Sequence, residues 1–127
     1  MQLPIFKRDI TVTIAQRLKE NRNFIQVISG PRQVGKTTAI RQVLEEIGIS
    51  YHYSAADLPA PPLVEWIAQQ WDIGRRKAIN EKSAILVLDE VQKISNWSEE
   101  IKRLWDEDAR QNIDLKVVIL GSSALLI

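Results

Sequence analysis

The residues best suited to chemistry form Gly30-Pro31-Arg32-Gln33-Val34-Gly35-Lys36-Thr37, which fits G-x-x-x-x-G-K-[ST] at every fixed position. Gly30 and Gly35 can take backbone angles that a side chain forbids, so the loop can close round a phosphate. Successive backbone N–H groups then point inward as an anion nest, and a following helix adds the positive end of its dipole. In this pattern the Lys36 ammonium reaches the β- and γ-phosphates and the Thr37 hydroxyl ligates Mg²⁺. An acidic pair, Asp89-Glu90, ends the apolar run that starts at Ser83. Carboxylates at the C-terminal end of a central parallel strand lie at the ligand edge of such a sheet. There Asp89 is placed to hold Mg²⁺ through water, and Glu90 to polarise the water that attacks the γ-phosphate. The plain alternative is a strand that ends in a polar turn. Gly121-Ser122-Ser123 follows the last apolar run and carries two readings of equal weight: hydroxyls that sense the γ-phosphate or orient water, or a serine turn.

These groups need elements to position them. Phe24 to Ser29 is short, β-branched and mostly apolar, as a buried strand is. Ile40, Val43, Leu44 and Ile47 repeat at helical spacing after the loop, and Gly48 supplies the stop. Strand, glycine loop and helix is the order the motif requires. Residues 1–8 read as a loosely docked start, followed by a helix capped by Asp9 and running to about Glu20 with Ile10, Ile14 and Leu18 on one stripe. Ile10 to Ile14 also alternates, so a strand fits there, although the helix is preferred. Ile49 to Ser54 predicts a second strand, and prolines 59, 61 and 62 punctuate the loop after it.

A helix is then expected from about Leu63 to Ile79, with Leu63, Trp66, Ile67, Trp71, Gly74 and Ala78 on its inner side. Arg75, Arg76 and Lys77 read as its solvated end rather than as a nucleic-acid contact. Residues 83–88 predict a strand buried on both faces. Asn96 with Glu99 resembles a capping box opening a helix that carries Trp97, Ile101, Leu104 and Trp105 through to about Arg110. The four tryptophans lie on apolar stripes, which favours packing over base stacking. Leu115 to Leu120 is the last expected strand.

Composition narrows the function classes. At 127 residues the chain is one domain, and a net charge of +1 offers no basic field for nucleic acid or membrane. With no cysteine and a single histidine, His52, thiolate and multi-histidine metal sites are excluded. No apolar run approaches the ~18 residues of a membrane span and no signal-peptide core opens the chain, so a cytoplasmic protein is expected.

GPRQVGKTT at 30–38, ILVLDEVQK at 85–93 and VVILGSS at 117–123 together resemble a large family of prokaryotic AAA-type ATP-binding proteins. The Tyr51 to Asp57 stretch and Ile94 to Ser98 share in the likeness, which covers about Phe6 to Leu126. The resemblance implies an α/β fold of the P-loop NTPase (ASCE/AAA) type, with helices on both faces of a parallel sheet of order 5-1-4-3-2. It implies ATP held by Gly30, Pro31, Arg32, Gln33, Val34, Gly35, Lys36, Thr37 and Thr38, with Mg²⁺ on Thr37 and Asp89. It also implies Asp89 and Glu90 in the Walker B place and Ser122, ahead of Ser123, as a sensor. Family members continue into a fifth strand and a helical lid, whereas this chain stops at Ile127. Residues 1–127 therefore read as the N-terminal portion of the ATPase domain, truncated after the fourth core strand. An arginine would come from a homo-oligomeric neighbour or from the missing C-terminal domain.

The leading functional expectation is a Mg²⁺-dependent ATPase core, with Glu90 as base and Lys36 and Ser122 assisting. A nucleotide-dependent switch that recruits a partner with negligible turnover is the alternative. A nucleotide kinase is disfavoured, because the 63–79 helix looks too well packed for a mobile acceptor lid. The resemblance favours adenine over guanine, and the guanine signature N-K-x-D is also absent within these 127 residues.

Overall fold

The computed structural model of the chain describes residues 15–19, 22, 25–29, 36–56 and 63–121. Its described elements alternate strand and helix: β1 (Gln26–Ser29), α1 (Lys36–Ile47), β2 (Tyr51–Ala55), α2 (Glu65–Glu81), β3 (Ala84–Asp89), a 3₁₀ turn (Val91–Lys93), α3 (Trp97–Gln111) and β4 (Leu115–Gly121). All strand pairs are parallel and the order is β1-β4-β3-β2. That is the four-strand portion of the expected order. Parallel strands require crossovers, and α1, α2 and α3 supply them.

Side-chain alternation sorts the two faces of the sheet. Ile85 and Val87 of β3 join Ile28, Val118 and Leu120 against Ile40, Val43 and Leu44 of α1, with Leu18 from the helical residues 15–19. Leu86 and Leu88 face the other way, with Val117 and Ile119, against Ile67, Trp71 and Ala78 of α2 and Ile101 and Leu104 of α3. Every residue of β3 and β4 is buried, as continuous apolar runs between two helical layers must be. Gly48 ends α1 at φ +76°, a left-handed position that glycine adopts without penalty.

The inner stripe of α2 contains Ile67, Trp71, Gly74 and Ala78, all buried. Trp71 is fully enclosed, and Trp66, Trp97 and Trp105 pack against the same cluster, so the tryptophans serve the core. Gly74 marks the closest approach of α2 to the sheet. A Cβ there would lie 3.1 and 3.3 Å from the Leu115 methyl carbons and 3.4 Å from Leu86 Cβ. Gly74→Val should therefore lower stability by about 1–3 kcal/mol through overpacking, read by denaturant unfolding, even though glycine is a poor helix former. A neutral result would show that α2 slides outward freely.

Several expectations need correcting. Leu63 precedes α2 and is 76% exposed rather than on the inner stripe, because the helix begins two residues later, at Glu65. Strand β2 starts at Tyr51, not Ile49. Asn96 makes no side-chain cap to α3; its φ of 62° is left-handed, whereas a side-chain cap needs extended backbone. Arg75 is not at a solvated end. It lies six residues before the last residue of α2 and turns inward onto Asp108. The proposed start of the first helix at Asp9 and the alternative strand at 10–14 lie outside the described residues, as do Gly30 to Gly35, Ser122 and Ser123.

Candidate functional site

The chain's connections set the place of the site. From β1 the chain crosses one face of the sheet through α1, and from β3 it crosses the opposite face through α3, with β4 between the two strands. Crevices at the carboxyl ends of strands arise where connections diverge in this way. Lys36 is the first residue of α1, so the end of the glycine-rich motif coincides with a helix N-terminus. Thr37 stands in the first turn, and Thr38 beside it is exposed.

Asp89 is the last residue of β3 and shares side-chain parity with Ile85 and Val87, which carries it to the α1 face. It is only 7% exposed. Thr37 Oγ1 donates to Asp89 Oδ2 at 3.3 Å. Tyr53 Oη from β2 donates to the same oxygen at 2.5 Å. The other oxygen, Oδ1, is buried and finds no hydrogen-bond partner among the described residues. A buried carboxylate oxygen with no donor is costly unless a ligand completes it. Burial and the bond to Asp89 push the Tyr53 phenol above its ordinary value, and the Arg41 guanidinium, 4.7 Å over the ring, opposes this.

Glu90 follows at φ 60°, a left-handed angle that costs a residue with a side chain on the order of 1–3 kcal/mol. Its N–H donates to Leu120 O at 2.8 Å, so the turn is tied to the end of β4. The carboxylate is buried, and Gln92 Nε2 donates to its Oε2 at 2.6 Å. Gln92 Oε1 is itself buried with no partner among the described residues. Backbone strain and unpaired polar atoms cluster at functional sites, and both occur here within four residues of chain.

Among the described residues no group of three or more His, Cys, Asp or Glu can hold a metal ion. A cage made wholly of protein is not what magnesium needs; it takes one or two carboxylates and completes its shell with water and phosphate. A hydroxyl on a helix N-terminus beside a carboxylate with one oxygen unpartnered among the described residues fits that donor set. No described helix is long and apolar enough to cross a membrane.

Of the expected site residues, the structure brings Thr37 and Asp89 together and sets Glu90 directly after Asp89, 2.6 Å from Gln92. Tyr53, Arg41 and Gln92 were missed as members of the site. For Tyr53 the usable signal was parity: in β2, Tyr51 and Tyr53 alternate onto the face that Ile85, Val87 and Asp89 occupy in the neighbouring strand.

A family model described as "AAA domain" matches residues 22–127. Among solved structures, Cdc6p from Pyrobaculum aerophilum matches at TM-score 0.64 and 17% identity over 98% of this chain and 41% of its own. PCH-2 from C. elegans matches at 0.65 and 12%, over 99% of this chain and 41% of its own. A RuvB variant from Thermotoga maritima matches at 0.52 and 19%, over 95% and 40%. At these identities the likeness is one of fold, and the chain spans about two fifths of the length of the structures it matches. No curated protein matches.

Proposed function

The chain belongs to the AAA domain family, and from that premise we propose that it binds ATP with Mg²⁺ and hydrolyses the β–γ phosphate bond. One observation carries the reading. The hydroxyl that ends the phosphate-loop motif touches one oxygen of a buried carboxylate whose other oxygen finds no partner among the described residues. In this reading the backbone of Gly30 to Gly35 cradles the phosphates, with Pro31, Arg32, Gln33 and Val34 between the glycines. Lys36 neutralises charge on the β- and γ-phosphates, and Thr38 borders the nucleotide. Thr37 and Asp89 would hold the hydrated metal, which would supply positive charge against the charge developing on the phosphoryl group. Glu90 takes a proton from water as the water oxygen bonds to the γ-phosphorus. The bond from that phosphorus to the bridging oxygen then breaks and ADP leaves. Ser122 is assigned to orient that water or contact the γ-phosphate. An arginine from a second copy of the chain, or from a further domain, would complete the charge balance.

A second reading, a nucleotide-dependent switch with negligible turnover, is favoured by one contact. Gln92 occupies Glu90 Oε2, which leaves the base partly engaged.

Calorimetry of Mg·ATP on the chain and on Lys36→Ala, with GTP as competitor, tests the binding step shared by both readings. Deleting a charge-assisted contact worth roughly 1.5–3 kcal/mol should weaken affinity about ten- to a hundredfold. Equal affinity in the folded variant would remove Lys36 from the site, and GTP competing as well as ATP would remove the adenine preference.

A further inference from the structure

We propose that Tyr53 is a positioning residue for Asp89, its phenol holding Oδ2 so that Oδ1 is presented to the hydrated metal of the bound nucleotide. The inference rests on the ATP-binding reading above and names a residue that the phosphate-loop and acidic motifs do not contain. Its basis is the asymmetry of the Asp89 carboxylate. Both donors converge on Oδ2, Tyr53 Oη at 2.5 Å and Thr37 Oγ1 at 3.3 Å, while buried Oδ1 has none among the described residues. The terminal torsion of an aspartate is broad and roughly two-fold, so a free carboxylate would sample other orientations. Two donors on one oxygen select a single one. The tyrosine's is the shorter bond of the pair, and at 3.3 Å the threonine's is long for O–H···O.

Tyr53 is itself fixed. Its Cα pairs with Val87 and that of Ala55 with Asp89, so the strand register sets the phenol beside the carboxylate. The ring packs on the α1 face, and the Arg41 guanidinium covers it at 4.7 Å. A phenylalanine would fill the same apolar space. What the tyrosine adds is its hydroxyl, and that hydroxyl goes to Asp89, whose other oxygen has no donor among the described residues. The arrangement assigns separate tasks to two neighbours: Thr37, on the helix N-terminus, touches the carboxylate and could also ligate a metal, whereas Tyr53 reaches the carboxylate from the adjacent strand β2.

The test is ATP affinity by calorimetry with magnesium and with excess chelator, on the unaltered chain, Tyr53→Phe, Asp89→Ala and the double variant, with melting temperatures alongside. The gain in affinity that magnesium brings should shrink about tenfold in Tyr53→Phe, the scale of a hydrogen bond to a charged group. ATP affinity in chelator should stay within about twofold, because Tyr53 acts only through the metal-facing acid. Adding Tyr53→Phe to Asp89→Ala should cost nothing further. An undiminished magnesium gain in Tyr53→Phe overturns the proposal. So does a loss of equal size with and without magnesium, the result of a merely structural role, or an additive loss in the double variant. If the unaltered chain binds ATP with no magnesium gain, this inference fails while nucleotide binding stands; if it binds no ATP at all, both fail.

Discussion

Replacing Asp108 with alanine should destabilise the fold by about 3–5 kcal/mol, the cost of removing one partner from a buried ionic cluster. Asp108 is a fully buried residue of α3. Its Oδ2 accepts from Trp71 Nε1 at 2.8 Å and its Oδ1 from Arg75 Nε at 2.5 Å. Arg22 approaches at 3.9 Å, donates to the Trp105 and Leu115 carbonyls, and lies 3.4 Å over the Trp105 ring. Burial lowers the Arg22 pKa, with Asp108 the foremost of the acids that oppose it. Truncation strands the buried indole N–H and leaves two guanidinium groups without their shared acid. Arg75 keeps Glu107 at 3.1 Å and the Leu104 carbonyl at 3.0 Å, which should hold the loss toward the lower figure. Chemical denaturation measures it. The Arg75→Ala and Asp108→Ala double variant should lose less than the two single losses added together, because both delete one interaction. A single-variant loss under about 1 kcal/mol would mean that water enters and solvates the cluster.

That cluster also shows where sequence reasoning runs out. The inner stripe Ile67, Trp71, Gly74 and Ala78 was legible from helical period alone, because each residue reports its own burial preference. The same period puts Arg75 one step round the helix from Gly74, where a solvated cation is the ordinary expectation. What turns it inward is Asp108, thirty-three residues away on another helix, and no local pattern carries that pairing. The strand ending in Asp89 was legible for the opposite reason: an uninterrupted apolar run with acids at its close has few other uses in a parallel sheet. The contact between Thr37 and Asp89 then follows from topology, since β1 and β3 flank β4 and α1 covers the Asp89 face. Tyr53 was legible in type but not in role. Placing its hydroxyl on Asp89 needs the β2–β3 register, which depends on packing across the whole sheet.

The fold and the site also differ in what they require of the chain. Two helical layers bury β3 and β4 without help from any ligand. The polar end of β3 combines a left-handed glutamate with two buried oxygens that find no donor among the described residues. Left-handed backbone also occurs at Lys82, Asn96 and Asn112, so what singles out the end of β3 is the strained Glu90 together with undonated oxygens, the combination expected where something else binds.

Glu90→Gln should reduce phosphate release by about 10²–10⁴-fold while leaving Mg·ATP affinity within about threefold. Glutamine fills the same space and can keep a contact to Gln92, now 2.6 Å from the carboxylate, so the left-handed turn and its bond to Leu120 O survive. What disappears is the capacity to take a proton from water. The same substitution separates the two functional readings. An ATPase core loses nearly all its turnover, whereas a switch shows the same background release with and without the carboxylate. Binding must be measured beside release, because affinity lost together with turnover would indicate a displaced turn rather than a missing base. Gln92→Ala sharpens the distinction. If Gln92 merely orients the base, its removal should slow release; if it holds Glu90 away from the water, removal should speed it. Faster release in Gln92→Ala and background release in Glu90→Gln would together identify a hydrolytic site restrained by its own amide. Background release in all three proteins, with intact nucleotide binding, would leave the switch as the function of this chain.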